Sequence, residues 1–272
     1  MTDASALRRA PGQAPEIEPD LNRRFGGLDR LFGIAAATAI RASHVVVVGI
    51  GGVGSWAAES LARSGIERLT LIDLDHVAES NINRQVHALD CTVGMAKVRA
   101  MADRIAQINA KCQVTCIEEF VDPDNWQTLA PEDADAVIDA CDQAKAKLVM
   151  AAWAVKTKTP FLTVGAAGGK RLAHLVDIDD LSKVTHDPVL AQLRYRLRKE
   201  FGAPIGGKKM NVSCVFSKEA VQGPDSSCAV DGDGSLNCHG YGSLVSVTAS
   251  FGHCAAGWII SALAKKSAKI TL

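Results

Sequence analysis

The eight cysteines include no C-x-x-C pair, and the polar, charged first residues hold no apolar signal-peptide core. Together these absences argue against a disulfide framework and read as reduced thiols in a cytoplasmic protein. Net charge is absent too: 30 basic residues balance 30 acidic ones, so global charge predicts neither nucleic-acid nor membrane binding. There is no internal repeat and no low-complexity tract. At 47% apolar and 22% charged residues, the composition excludes a mainly disordered or collagen-like chain. A length of 272 residues suits one large domain, or one domain with an appended part.

The first residues mix Pro, Ala and charges without periodicity, and residues 1–22 read as a flexible leader. An apolar stretch at 28–40 predicts a helix. The valine run at 44–49 predicts a buried parallel strand, followed by a glycine turn feeding a helix at 51–63. Further strands are expected at 68–73, 113–117, 134–140 and 159–165, with helices at 94–108 and 145–157 between them. This alternation predicts an α/β fold with a doubly wound, mostly parallel, Rossmann-like sheet. Beyond residue 165 glycines and polar residues dominate, with a helix expected at 188–201 and a loop at 202–210. Residues 240–264 carry no Lys, Arg, Asp or Glu and are long enough to span a bilayer. Their His253, serines, four glycines and few large aliphatics favour a buried helix packed on the sheet, so no membrane is expected.

Gly49-Ile50-Gly51-Gly52-Val53-Gly54 falls where the first strand turns into a helix. Glycines there let the backbone approach a phosphate, and the helix N-terminus offers free N–H groups and a positive dipole end. Asp73 ends the next strand, 19 residues after Gly54, where an acid holds a ribose hydroxyl. Alone, this pattern fits a nicotinamide or flavin dinucleotide as well as ATP. Asn81-Ile82-Asn83-Arg84-Gln85 and then Lys97 tip the balance. A triphosphate needs such cations, because charge develops on its oxygens during nucleotidyl transfer. Asp139 and Asp142, at the end of the fourth strand, are hard oxygen ligands suited to a magnesium ion shared with phosphates.

The succession GIGGVG, LIDLD, SNINRQ, VGMAKV and the Asp142 strand end resembles the ubiquitin-activating-enzyme-like adenylyltransferases over residues 23–165. That resemblance implies phosphate binding by Gly51, Gly52, Asn81, Arg84 and Lys97, with Gly54 expected as a further nucleotide-binding glycine of the loop. It implies ribose binding by Asp73 and a magnesium-associated acid at Asp142. Where that family usually reads Cys-Thr-Asp-Asn, this chain has Ala140-Cys141-Asp142-Gln143. The resemblance further implies a homodimer in which an arginine reaches the neighbouring subunit's ATP; Arg24 fits by spacing, with Arg23 beside it. On this reading residues 23–170 carry the adenylation fold and 171–272 a C-terminal extension that binds the acceptor.

Sulfur-carrier activators of that family usually hold zinc with two C-x-x-C pairs, so no zinc is expected here. Cys112 and Cys116 read as core thiols. RRFGGLDRLFG, NINRQVHAL, DPVLAQLRYRLRKEFG and SCVFSKE resemble one subgroup, the tRNA threonylcarbamoyladenosine dehydratases. This resemblance implies adenylation of the nucleoside's carboxylate followed by cyclisation, with a cysteine desulfurase and a sulfur-acceptor protein as partners. Charge distribution gives separate support. Residues 183–218 hold eight Lys or Arg against two acids, while 118–142 hold nine acids and no Lys or Arg. Arg194, Arg198, Lys208 and Lys209 are the candidates to track tRNA phosphates. Cys238, ahead of the apolar helix, is either a reactive thiol or a small packing residue. The competing functions are a sulfur-carrier activator, disfavoured by the missing zinc pairs, and a noncatalytic dinucleotide module, disfavoured by Asn81, Arg84 and Lys97.

Overall fold

The computed structural model describes residues 20–223, 225, 227 and 241–270. The chain opens with α1 (Leu21–Phe32) and α2 (Ile34–Ala42), then β1 (His44–Val48), α3 (Gly54–Arg63) and β2 (Arg68–Ile72). Next come α4 (Lys97–Ile108), β3 (Gln113–Ile117), the short α5 (Trp126–Leu129), β4 (Ala136–Asp139), α6 (Ala144–Thr157) and β5 (Phe161–Val164). The last elements are β6 (Val176–Asp180), α7 (Pro188–Phe201), β7 (Ser213–Ser217) and α8 (Val245–Ile270).

One seven-stranded sheet runs in the order β3-β2-β1-β4-β5-β7-β6. All neighbours are parallel except β6 with β7. The expected doubly wound, mostly parallel sheet is therefore present. The valine run shows why it is buried on both sides: Val45 and Val47 point into the core beneath α3, α4 and α8, and Val46 and Val48 into the core beneath α6 and α7.

The structure departs from the pattern reading in three places. The helix expected at 28–40 is two helices, broken at Gly33, whose φ of 82° suits glycine best. Asp20 caps α1 by accepting from Arg23 N, so Leu21 and Asn22 belong to a helix; residues 1–19 of the expected leader lie outside the described residues. β6 and β7 extend the sheet where no strands were anticipated.

Val245–Ser267 has the length and composition to cross a membrane, yet half of its apolar window is buried inside the fold. Val247, Phe251, Ala255, Ile259 and Leu263 recur every four residues and form its core-facing stripe. A Cβ at Gly252 would lie 2.5 Å from the Val53 carbonyl, so glycine is needed where α8 crosses the start of α3. The expected buried helix thus braces the glycine turn from behind. Cys238 lies outside the described residues.

Candidate active site

The chain leaves β1 toward β2 on one side and β4 pairs on the other, so a crevice forms at the carboxyl ends of these strands, where ligands of open α/β sheets bind. An open cleft of about 230 Å³ lies there, bordered by Gly51, Gly52, Asp73, Asn81, Arg84, Lys97 and Asp142. The seven side chains and turns proposed from distant parts of the sequence therefore share one space. Gly54 does not line it. A Cβ at Gly54 would sit 1.8 Å from the Gly49 carbonyl, so this glycine lets α3 pack against β1 and acts on the turn rather than on a ligand.

At Gly51 an added Cβ would meet nothing within 4 Å, so the backbone there is open to a ligand. At Gly52 it would press on the Arg84 side chain at 3.2 Å. Among the described residues no side chain caps the start of α3, which leaves the dipole end of the helix for an anion. Asp73 holds the turn from below. Its Oδ2 accepts from Ile50 N at 2.6 Å and its Oδ1 from Asp75 N at 2.9 Å. Burial raises the Asp73 pKa above the ordinary carboxylate value, against the lowering effect of Lys97 and the two N–H donors.

The cations come from the segment between β2 and α4. Trp56 Nε1 of α3 donates to the Arg84 carbonyl at 2.9 Å and ties that segment to the glycine turn. Arg84 is buried; its NH1 donates to the Ser80 carbonyl and Asn83 Oδ1, while its Nε is buried with no partner among the described residues. Gln85 Oε1 beside it is also buried and has no partner among the described residues. Buried polar atoms cost free energy unless paired, so both fit a polar ligand in the cleft. Lys97 donates to Asp75 Oδ2 at 2.7 Å, an exposed carboxylate that a polyphosphate can replace. Asn81 Oδ1 accepts from Ala78 N and shapes the turn that presents Arg84. Behind this wall His87 is buried with neither ring nitrogen paired among the described residues; burial first, then Lys97 and Arg104, lower its pKa from 6.5 to about 4.

Asp142 is exposed in the cleft, three residues past the last residue of β4. Asp139 does not share its role. It is fully buried and bonded to Lys147, Thr163 and Cys141, so the expectation that it offers oxygens to magnesium is corrected. Among the described residues no cluster of three or more His, Cys, Asp or Glu could hold a metal. A single carboxylate plus phosphate oxygens is nevertheless an ordinary magnesium environment, so the donor set fits that ion. Phe120, Lys147 and the 165–168 loop also border the cleft, although sequence reasoning assigned them no role. Phe120 follows β3 on the same carboxyl edge, which was a usable signal; Lys147 looks in sequence like any helix-surface lysine.

The remaining candidates lie apart from the cleft lining. Arg24 NH1 donates to the Ile108 carbonyl at the far end of α4. Arg194 NH1 donates to the Leu181 and Val184 carbonyls at 3.0 and 2.8 Å and so pins the loop before α7. Arg198 Nε donates to the Pro204 carbonyl, while Lys208 and Lys209 are exposed.

Cations over a glycine turn suit a polyphosphate better than a plain dinucleotide, which makes this a nucleotide-binding α/β protein of the adenylyltransferase kind. The chain belongs to the ThiF family, whose profile matches residues 27–271. It is 43% identical over 256 residues to the tRNA threonylcarbamoyladenosine dehydratase of Escherichia coli, covering 91% of this chain and 96% of that one. The Haemophilus influenzae dehydratase is 39% identical, covering 90% and 94%. The structure of the Escherichia coli dehydratase in complex with ATP matches with a TM-score of 0.83 at 41% identity, covering 93% of this chain and 99% of that one. The molybdopterin-synthase adenylyltransferase of Escherichia coli is 34% identical over only 138 residues, about half of each chain.

Proposed function

We propose that this protein adenylates the carboxylate of threonylcarbamoyladenosine in tRNA and releases the product cyclised. A carboxylate oxygen attacks the α-phosphorus of ATP, the bond to the β-phosphate breaks, and pyrophosphate leaves. A nucleophile within the same side chain then attacks the acyl carbon and AMP leaves, so the nucleoside loses one water overall. The observation that carries this reading is the buried Arg84 Nε and the Lys97 ammonium on one cleft with the open Gly51 backbone. The whole-length similarity to dehydratases names the acceptor.

Each residue acts mainly by position and charge. Gly51 and Gly52 bring backbone N–H groups to the phosphates, Asp73 takes the ribose, and Arg84 and Lys97 offset charge on the leaving pyrophosphate. Asp142 would hold magnesium, which would neutralise phosphate charge. Residues 23–170 carry this chemistry, and 171–272 present the tRNA-binding face through Arg194, Arg198, Lys208 and Lys209. Arg24 serves the neighbouring subunit of a homodimer, a cysteine desulfurase and a sulfur-acceptor protein are partners, and the site of action is the cytoplasm. ATP–pyrophosphate exchange tests the reading directly. Exchange stimulated by tRNA bearing threonylcarbamoyladenosine, and not by unmodified tRNA, supports it; exchange stimulated only by a sulfur-carrier protein gives the substrate to the alternative.

A further inference from the structure

Lys147 lies near the start of α6 and is 1% exposed. Its ammonium donates to both oxygens of Asp139 at 3.2 Å, to Thr163 Oγ1 at 3.2 Å and to the Val164 carbonyl at 2.8 Å. Three protons serve four acceptors, so no donor remains for a phosphate. The acceptors are the carboxyl ends of β4 and β5, which are neighbours in the sheet.

The chain beyond each acceptor forms one wall of the cleft. After Asp139 it turns through Cys141 to Asp142, and Asp139 Oδ1 accepts from Cys141 N at 3.2 Å and from its Sγ at 3.0 Å. After Val164 it forms the 165–168 loop, where Asp187 Oδ2 accepts from Ala166 N at 2.8 Å. Thr163 Oγ1 also donates to Asp139 Oδ2 at 2.6 Å. One buried charge thus sets the spacing between the acid-bearing turn and the facing loop. A buried ion pair is seldom a net gain over apolar side chains of equal volume, so stability alone does not explain its presence under an active site.

We infer that Lys147 is a positioning residue for adenylyl transfer: through Asp139, Thr163 and the Val164 carbonyl it holds the Asp142 turn against the 165–168 loop, so that triphosphate and acceptor carboxylate meet in line. This rests on the adenylation reading. The role is in the spacing of the two walls, not in nucleotide affinity, because the groups assigned to the phosphates and ribose lie on other elements.

The test compares the full-length wild type, the charge-free double variant Lys147→Met/Asp139→Asn, and Lys147→Arg. Thermal unfolding, ATP affinity by calorimetry and pyrophosphate exchange with modified tRNA are measured on each. The double variant leaves no uncompensated charge and should keep its Tm within a few degrees and its ATP Kd within about threefold, while kcat falls on the order of 10²-fold. Lys147→Arg keeps the charge pair and should recover part of that loss; if the double variant does not fold, a lower kcat at unchanged ATP Kd in the arginine variant is the expected result. A folded double variant with wild-type kcat, an arginine variant with wild-type kcat when the double variant does not fold, or loss of ATP affinity in step with kcat overturns the inference. Absence of exchange in the wild type instead rejects the adenylation reading, and the positioning role with it.

Discussion

Replacing His87 by leucine should remove an acid sensitivity of the fold. His87 is 1% exposed, and neither ring nitrogen has a hydrogen-bond partner among the described residues. Burial, followed by the charges of Lys97 and Arg104, takes its pKa from 6.5 to about 4. Below pH 6.5 the unfolded chain binds a proton that the folded chain refuses, so this group makes stability fall as pH falls, until the folded pKa is passed. With those two values the histidine costs about 2 kcal/mol at pH 5 relative to pH 8, from the linkage relation. Asp73 and Asp187, whose pKa values are raised by burial, work in the opposite direction, but they are common to both proteins and cancel in the difference. The assay is urea unfolding of wild type and His87→Leu from pH 8 to pH 4.5. At pH 8 the variant should be close to wild type or above it, since an unpaired polar ring is exchanged for an apolar side chain of similar size. Its advantage should then grow by about 2 kcal/mol on reaching pH 5. Parallel stability curves for the two proteins would refute the buried, uncharged histidine.

Arg84→Ala or Lys97→Ala should each cost about 2–4 kcal/mol of transition-state stabilisation in pyrophosphate exchange. Asp142→Asn should keep ATP binding but lose most turnover, and wild-type rates at saturating magnesium would remove it from metal binding. Lys208→Ala with Lys209→Ala should flatten the salt dependence of tRNA binding by about 0.7–0.9 per lost phosphate contact. Arg194→Ala should weaken tRNA binding as well and, unlike the lysine changes, also lower thermal stability, because it releases the Leu181 and Val184 carbonyls. Mixing Arg24→Ala with Asp142→Asn protein should restore part of the activity; no rescue after confirmed subunit exchange would place Arg24 outside a shared site.

The central sheet was legible because its strands are apolar runs ended by glycine or acid, and parallel strands buried on both faces must read that way. β6 was not recognised, since its sequence VDIDD alternates Val176 and Ile178 with half-buried acids, as an edge strand does. β7 is a short run, SCVFS, that periodicity alone does not separate from a loop. In the cleft, the glycine turn, Asp73, Arg84 and Lys97 were visible because polyphosphate chemistry demands those groups at strand ends. Asp139 and Asp142 looked equivalent in sequence. They differ because Lys147, eight residues beyond Asp139, turns back beneath the sheet end and, with Thr163 and Cys141, occupies the first carboxylate. Gly54 carries the signature of a ligand glycine and serves packing, a distinction that needs the distance to Gly49.

Nucleoside mass analysis of tRNA tests the central claim most directly. Incubating the protein with ATP, magnesium and tRNA that carries threonylcarbamoyladenosine should convert that nucleoside to a species one water lighter, with AMP and pyrophosphate formed in equal amounts. An unchanged nucleoside mass, with adenylate appearing only on the C-terminus of a small carrier protein, would contradict the account.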